Sequence, residues 1–332
     1  MAQIEQIPDN LYNRVSEMLR KARSSVLRTV NKTMVLTYYE IGRVIVEEEQ
    51  FGKERAGYGQ QLVDELSQKL VAKFGQGFSS TNIKQMRSFY LIYSKGQTLS
   101  DEFNLSWSHY LKLMRIDDDR ERRFYEIESS KNNWSVRELQ RQYDSALYTR
   151  LALSRDQEKV RELSEQGLIL EKPKDAIKDP YVLEFIGLPE KPSYSESELE
   201  QKLIDKLEQF LLELGTGFTF VARQKRISFD DKHFRIDLVF YNRILKCFML
   251  VDLKIGELKH QDIGQMQMYV NYYDREMKLS EENQTIGLIL CQNKSEAVVR
   301  YTLPENNEQI FASKYQTVLP GKEELLQLIE RQ

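Results

Sequence analysis

Proline is missing from residue 9 to residue 172, and no other feature restricts what this chain can fold into as strongly. Proline removes a backbone donor and clashes with the preceding helical turn, so a stretch this long without it reads as a succession of helices. Proline then returns as Pro173, Pro180, Pro189 and Pro192. That cluster reads as a connector laid against the parts it joins, with a boundary near residues 172–182. The expected organisation is a helical N-terminal domain over residues 10–171, a connector over 172–194 and a second domain over 195–325. Tyr181 to Leu188 is apolar enough to dock the connector on the second domain.

A chain of 332 residues suffices for two ordinary domains or one large one. Its 41 % hydrophobic content fills a core while 30 % charged residues keep the surface wet. The net charge of -3 excludes a polycation that coats nucleic acid indiscriminately, so any basic surface must be local. Cys247 and Cys291 each lie in an apolar stretch, which favours buried thiols in a reducing compartment over a disulfide framework. Histidines and cysteines are few and far apart, which argues against structural zinc. The N-terminus lacks the apolar run of a signal peptide, and no stretch approaches the roughly 20 apolar residues needed to span a bilayer. The expectation is a cytoplasmic protein with no membrane partner.

Leu11, Val15, Leu19, Val26, Val30, Met34, Tyr38 and Ile41 recur at helical spacing, as two long amphipathic helices or one bent one. Such helices can pack within the domain or form the seam of a homodimer. Leu62, Leu66, Leu70 and Phe74 make a second stripe ending at Gly75 and Gly77. Ser79 or Ser80 then caps a helix reaching about Tyr93, with Ile83, Met86, Phe89 and Tyr90 inward. Two helices joined by a short Gly-containing turn are compatible with a helix-turn-helix. No Asp or Glu occurs from Leu66 through Ser100, while Lys69, Lys73, Lys84, Arg87 and Lys95 do. If the second helix enters a groove, Lys84, Gln85 and Arg87, with Thr81, Asn82 and Ser88, meet phosphates or base edges. The same residues also read as a solvated helical hairpin. Further on, Ser106 and Ser135 are candidate N-caps, the latter forming a capping box with Glu138. Arg120, Arg122 and Arg123 beside Asp117 to Asp119 read as an internally paired, solvated surface, and Arg150 to Glu171 as a peripheral helix.

The period changes in the C-terminal half. Ser195 to Gly215 reads as one helix, with capping boxes possible at Ser195/Glu198 or Ser197/Glu200. Strand-like runs follow at Phe218 to Ala222, Phe234 to Phe240, Leu245 to Leu253 and Thr285 to Leu290, with a helix from about Lys259 to Tyr273 between the last two. This order is an α/β arrangement around a mixed sheet. Asp252 and Lys254 are two apart and share one strand face. With Tyr241, Asn242 and Arg243 in a hairpin connection, an even residue count puts Asp237 on that face as well; a slip of one separates them. Carboxylates in strands apolar on both faces need a partner or a metal. Asp252 and Lys254 can also be a plain ion pair at a strand end.

The combined order resembles the PD-(D/E)XK nuclease superfamily, and more closely the YhcG-like nucleases with their helical N-terminal domain. The resemblance rests on Leu199-Glu200, on Arg235-Ile236-Asp237-Leu238-Val239-Phe240-Tyr241, on Val251-Asp252-Leu253-Lys254 and on Gly264-Gln265-Met266-Gln267-Met268-Tyr269. Upstream it includes Gly77-Phe78-Ser79, Met86-Arg87-Ser88-Phe89-Tyr90, Leu105-Ser106-Trp107-Ser108-His109-Tyr110 and Trp134-Ser135-Val136-Arg137-Glu138-Leu139. It covers about residues 12 to 320. It implies a restriction-endonuclease-like C-terminal domain that hydrolyses DNA phosphodiester bonds, as an endo- or exonuclease, with Glu200, Asp237, Asp252, Lys254 and Gln265 as the site. Asp237 and Asp252 are suited to Mg²⁺, with Mn²⁺ as a substitute, and the Leu253 carbonyl and Glu200 are further ligands by resemblance. Glu198 competes with Glu200 for that role. Lys254 positions water and stabilises charge. Arg223, Gln224 and Lys225 can grip the nucleic-acid backbone; Tyr269 is either a contact or core. The implied partners are DNA, a second copy, and restriction or recombination proteins. The competing reading is a non-catalytic DNA-binding or scaffolding subunit.

Overall fold

The computed structural model describes residues 9–51, 58–94, 103–153, 157–190, 193–229 and 232–319. Lys95, Pro192 and residues 320–325 of the expected second domain lie outside these. Contacts divide the chain into two units, residues 1–139 and 140–332. No helix among the described residues is long and apolar enough to cross a membrane.

The first unit is helical. Its elements are α1 (Asp9–Phe51), α2 (Tyr58–Phe74), α3 (Ser80–Tyr93), α4 (Trp107–Leu113) and α5 (Asp119–Lys131), with α6 (Val136–Asp144) crossing the division. The apolar repeat over residues 10–50 is therefore one continuous helix. Ile45, Val63 and Ile83 join α1, α2 and α3 in a small core, and Tyr39, Phe89, Phe103 and Tyr110 build an aromatic cluster beside it. Gly42 lets α1 approach α3 closely, because a Cβ there would stand 2.1 Å from the Met86 carbonyl oxygen. Ser79 caps α3 by accepting the Asn82 N–H at 3.4 Å, and Ser135 accepts the Glu138 N–H at 3.1 Å. Ser106 stands at the N-cap of α4, but its hydroxyl pairs with His109 Nδ1 at 2.7 Å instead of a backbone N–H. Arg122 is buried rather than solvated, donating to the Ile116 carbonyl at 2.7 Å and pairing with Asp119.

The second unit continues with α7 (Leu147–Leu153), α8 (Gln157–Gln166), β1 (Tyr181–Val182), α9 (Glu196–Asp205), α10 (Leu207–Leu214), β2 (Phe218–Phe229), β3 (Lys232–Asn242), β4 (Cys247–Glu257), α11 (His260–Tyr272), β5 (Ile286–Asn293), α12 (Glu296–Thr302) and β6 (Ile310–Gln316). The strands form one mixed sheet in the order β1-β6-β5-β4-β3-β2. β2, β3 and β4 are antiparallel neighbours, whereas β4, β5, β6 and β1 run parallel. Leu199, Leu203, Phe210 and Leu214 of α9 and α10 pack on one face, and Ile263, Met266, Tyr269 and Val270 of α11 on the other. Covering both faces accounts for the nearly unbroken apolar runs of the central strands. The expected single helix over 195–215 is interrupted at Lys206 (φ -118°, ψ 32°). Both pieces bury the same stripe, which is why periodicity registers the phase but not the break.

Residues 140–171 pack with the sheet unit through buried charge. Arg150 and Glu213, both fully buried, pair at 2.6 Å. Arg150 also donates to the Pro180 carbonyl at 3.0 Å, and Glu213 accepts the Val182 N–H at 3.0 Å. Arg141 bridges Glu184 and Glu213 at 2.8 and 3.4 Å. A charged segment that reads as peripheral thus carries an interior ion pair, since composition does not say where a charge finds its partner.

Candidate active site

Asn242 sets the geometry at the far end of β3. It is fully buried. Its Oδ1 accepts the N–H groups of Ile244 and Leu245 at 2.9 and 3.0 Å, and its Nδ2 donates to the Thr216 carbonyl at 3.1 Å. The connection is thereby confined to Arg243–Lys246, and Tyr241 and Asn242 belong to the strand. The even parity survives. Val239 pairs with Leu250, so Asp237, two residues back on β3, and Asp252 and Lys254, further along β4, project toward the same side as α11.

The β3–β4 ladder runs only from Asn242↔Cys247 to Leu238↔Val251. Past that point β3 stays with β2 and β4 stays with β5, which opens a fork between them. Asp237 stands in its mouth, its Oδ2 accepting the Leu253 N–H at 2.8 Å. Lys254 Nζ pairs with the buried Asp252 Oδ2 at 2.8 Å. Burial pushes the Asp252 carboxyl up to about 7, with Lys254 opposing and Asp237 adding to the shift. Asp237 is raised as well, by burial against the Leu253 amide and Lys254, with Glu200 adding to the rise. Burial alone would lower Lys254, but Asp252, Glu196 and Asp237 hold it above the ordinary lysine range. The lysine is therefore an ammonium at neutral pH.

Glu200 projects from the buried side of α9 and is 4 % exposed. Arg223 Nε and Gln224 Nε2 on β2 both donate to it. Gln224 Nε2 also donates to Asp237 Oδ1 at 3.1 Å, so one amide ties the two carboxylates together. Gln224 has φ 48°, the left-handed region, in the middle of a strand. A non-glycine residue there is strained and is held by its surroundings. Glu198 is engaged elsewhere, in a capping box with Ser195 that accepts the Ser195 N–H at 2.8 Å. Glu196 escaped sequence reasoning. It accepts the Ile255 N–H at 3.3 Å just beyond Lys254 and acts on both Asp252 and Lys254. A glutamate in a first helical turn is common for helix-dipole reasons alone, so its position carries no signal of a strand partner.

On α11, Gln265 and Tyr269 are one turn apart and bonded to each other. Tyr269 is fully buried and donates to the Arg235 carbonyl at 2.9 Å. It belongs to the core and holds Gln265; it is not an open surface contact. Lys225 is exposed, while Arg223 also donates to Gln201 at 2.8 Å. In the first unit Lys84 is exposed and Gln85 half-buried, and Arg87 pairs with Glu49 at 2.6 Å. Among the described residues, no group of three or more His, Cys, Asp or Glu side chains is arranged to hold a metal ion.

A forked mixed sheet with an acidic helix on one face and a Gln-x-x-x-Tyr helix on the other is the architecture of the PD-(D/E)XK nuclease class. The YhcG PDDEXK nuclease domain matches residues 174–329, and the DUF1016 N-terminal domain matches residues 14–150. The YhcG protein of Escherichia coli (strain K12) is 39% identical over 345 residues, covering 95% of this chain and 92% of that protein. The chain belongs to the YhcG-like family of the PD-(D/E)XK nuclease superfamily. Among solved structures, a repair endonuclease from Pyrococcus abyssi aligns with 40% of this chain and 50% of its own, at 16% identity and a TM-score of 0.26. EndoMS in complex with double-stranded DNA aligns with 40% of this chain and 48% of its own, at 15% identity and a TM-score of 0.27.

Proposed function

We propose that the C-terminal unit is a metal-dependent hydrolase of DNA phosphodiester bonds. The observation that carries this reading is the β3–β4 fork, where Asp237, Asp252 and Lys254 project from one face. The donor set fits Mg²⁺, which is held by one or two carboxylates plus water and substrate oxygens and needs no larger protein cage. The buried Asp252 Oδ2, paired with the Lys254 ammonium at 2.8 Å, is an acceptor of the required kind. Asp237, Asp252 and the Leu253 carbonyl would hold the ion, with Glu200 behind them. Bound Mg²⁺, or Mn²⁺ in its place, supplies positive charge to the phosphate and acidifies water.

Lys254 acts as a fixed ammonium: it orients the attacking water and offsets charge on the phosphate oxygens, and is not a general base. Gln224 keeps Glu200 and Asp237 in register. Gln265, steadied by Tyr269, presents its amide toward the phosphate. Beyond the fork β2 and β3 continue as a two-stranded ribbon on which Lys225, Arg226, Lys232 and Arg235 are exposed. A ribbon of this kind fits a major groove and its flanking phosphates. Lys84 and Gln85 of α3 are a second candidate contact, and Arg87 joins them by exchanging Glu49 for a phosphate.

The test is cleavage of labelled single-stranded, duplex, nicked and branched DNA by the wild type and Asp252→Ala, with Mg²⁺, Mn²⁺ or EDTA, on denaturing gels. Metal-dependent cutting that disappears in the variant is the expected result. Equal cutting by both proteins sinks the site assignment. DNA binding without cutting by either moves the assignment to the non-catalytic reading.

A further inference from the structure

β4 gains one residue on β5 directly after Lys254. Lys254 pairs with Cys291 and Glu257 with Asn293, so three steps along β4 oppose two along β5. A bulge is uncommon between parallel strands, and bulges recur beside active sites, where they re-aim a side chain. Here the place of the bulge decides where the lysine points. Side chains alternate along a strand, so Lys254 shares the face of Asp252 only while the extra residue follows it. With the extra residue between Asp252 and Lys254, the same sequence would turn the lysine to the opposite face of the sheet.

The groups that hold the bulge come from outside β4. The Ile255 N–H donates to Glu196 Oε1 on α9 at 3.3 Å, and the Gly256 N–H donates to Gln292 Oε1 on β5 at 2.9 Å. Both peptide groups that follow the lysine are thus taken by side chains, each from a different element. Gly256 has φ 92°, which suits glycine and strains any other residue. The Gln292 amide is fixed in direction, because its Nε2 donates to the Tyr194 hydroxyl at 3.0 Å and that hydroxyl lies 3.4 Å from the Tyr315 hydroxyl of β6. Past the bulge the Leu258 N–H donates to the Asn293 carbonyl at 3.0 Å. A buried amide without an acceptor is costly, so acceptors placed at these two positions favour this location of the bulge over the neighbouring ones.

We propose that Glu196 and Gln292 are positioning residues of the nuclease site: by holding the Ile255 and Gly256 N–H groups they fix the bulge just after Lys254 and keep the ammonium on the face of Asp252. The inference rests on the nuclease reading of that site. In this role neither residue touches the phosphate or the metal. Removing them lets the bulge move and Lys254 turn away, which slows the chemical step and leaves DNA binding and the metal carboxylates intact.

Cleavage kinetics and amide hydrogen exchange of the full chain test this. Glu196→Ala and Gln292→Met, singly and together, should lower kcat, by about 10–100-fold in the double variant, with KM and the Mg²⁺ dependence unchanged. Glu196→Gln and Gln292→Glu each keep an oxygen for the N–H and should retain kcat. In the metal-free protein the Ile255 and Gly256 amides should be protected in the wild type and exchange freely in the double variant, while β5 and α11 stay protected in both. A double variant with wild-type kcat, a loss confined to KM, or Glu196→Gln as slow as Glu196→Ala overturns the proposal. Exchange needs no turnover: a wild type that cuts no DNA sinks the nuclease reading, whereas unprotected Ile255 and Gly256 amides sink the positioning role by themselves.

Discussion

Asp252 is held in conditions that oppose its charge. Burial raises its carboxyl to about 7, so the protonated form is the one the metal-free fold favours. The contribution of this group to stability is therefore full below the ordinary aspartate value near 4 and declines as pH rises toward about 7. Without metal, Asp252→Asn should raise stability at pH 8, on the order of 1–3 kcal/mol, and change little at pH 4. With Mg²⁺ the order reverses: the wild type should gain about 2.7 kcal/mol at a hundredfold excess over the dissociation constant and the variant nothing. Thermal melts with and without Mg²⁺ at the two pH values measure both effects, and a variant that still responds to Mg²⁺ would remove Asp252 from the metal. Gln224 gives a complementary test. Gln224→Gly accepts the left-handed backbone without strain but deletes the amide joining Glu200 to Asp237. Activity or metal affinity should fall about 10–100-fold with the melting temperature unchanged or higher; unchanged turnover would mean the bridge is incidental.

At the scale of elements, close approach and strand parity matter most. Gly42→Ala is informative because two effects oppose each other. Alanine favours a helix by about 1 kcal/mol over glycine, yet its Cβ would meet the Met86 carbonyl at 2.1 Å and drive α1 from α3. A net loss of about 1–3 kcal/mol in urea unfolding is expected, and a stabilised variant would show that the two helices separate freely. The sheet contributes parity. Asn242 holds the turn that puts Asp237 on the face of Asp252, and the loss of pairing beyond Leu238↔Val251 lets the Asp237 carboxylate take the Leu253 amide. Alternation in the sequence already placed Asp252 and Lys254 together. Glu200 was legible as a helix residue, but its meeting with β2 through Arg223 and Gln224 depends on a strand about twice as long as its apolar residues indicate.

For the second unit as a whole, the buried pair of Arg150 and Glu213 joins α7, the connector and α10. Burial alone would raise Glu213, but Arg150, Lys178 and Arg141 outweigh it and hold the carboxyl at about 2. Its stabilising contribution is thus complete above the ordinary glutamate value near 4.3 and disappears as pH falls from there toward about 2. Glu213→Ala should cost about 3–5 kcal/mol at pH 7, because it leaves buried guanidinium without its partner. Denaturant unfolding between pH 7 and pH 3 should show a smaller acid dependence in the variant; an identical pH profile would place the acid sensitivity elsewhere.

The sequence by itself determined the helical run, strands β2 to β5 of the sheet, though not β1 and β6, and the order of the acidic residues along them, because these depend on local period and on the scarcity of proline. Residue spacing carries that information directly, since side-chain direction repeats every 3.6 residues in a helix and every two in a strand. Only the tertiary structure decided which charges meet. Arg150 finds Glu213, Gln224 finds both Glu200 and Asp237, Glu196 comes up beside Lys254, and Tyr269, open between contact and core in the sequence, is core. These are long-range pairings between elements far apart in the chain, and a partner's identity is set by packing, not by any property of the residue that receives it.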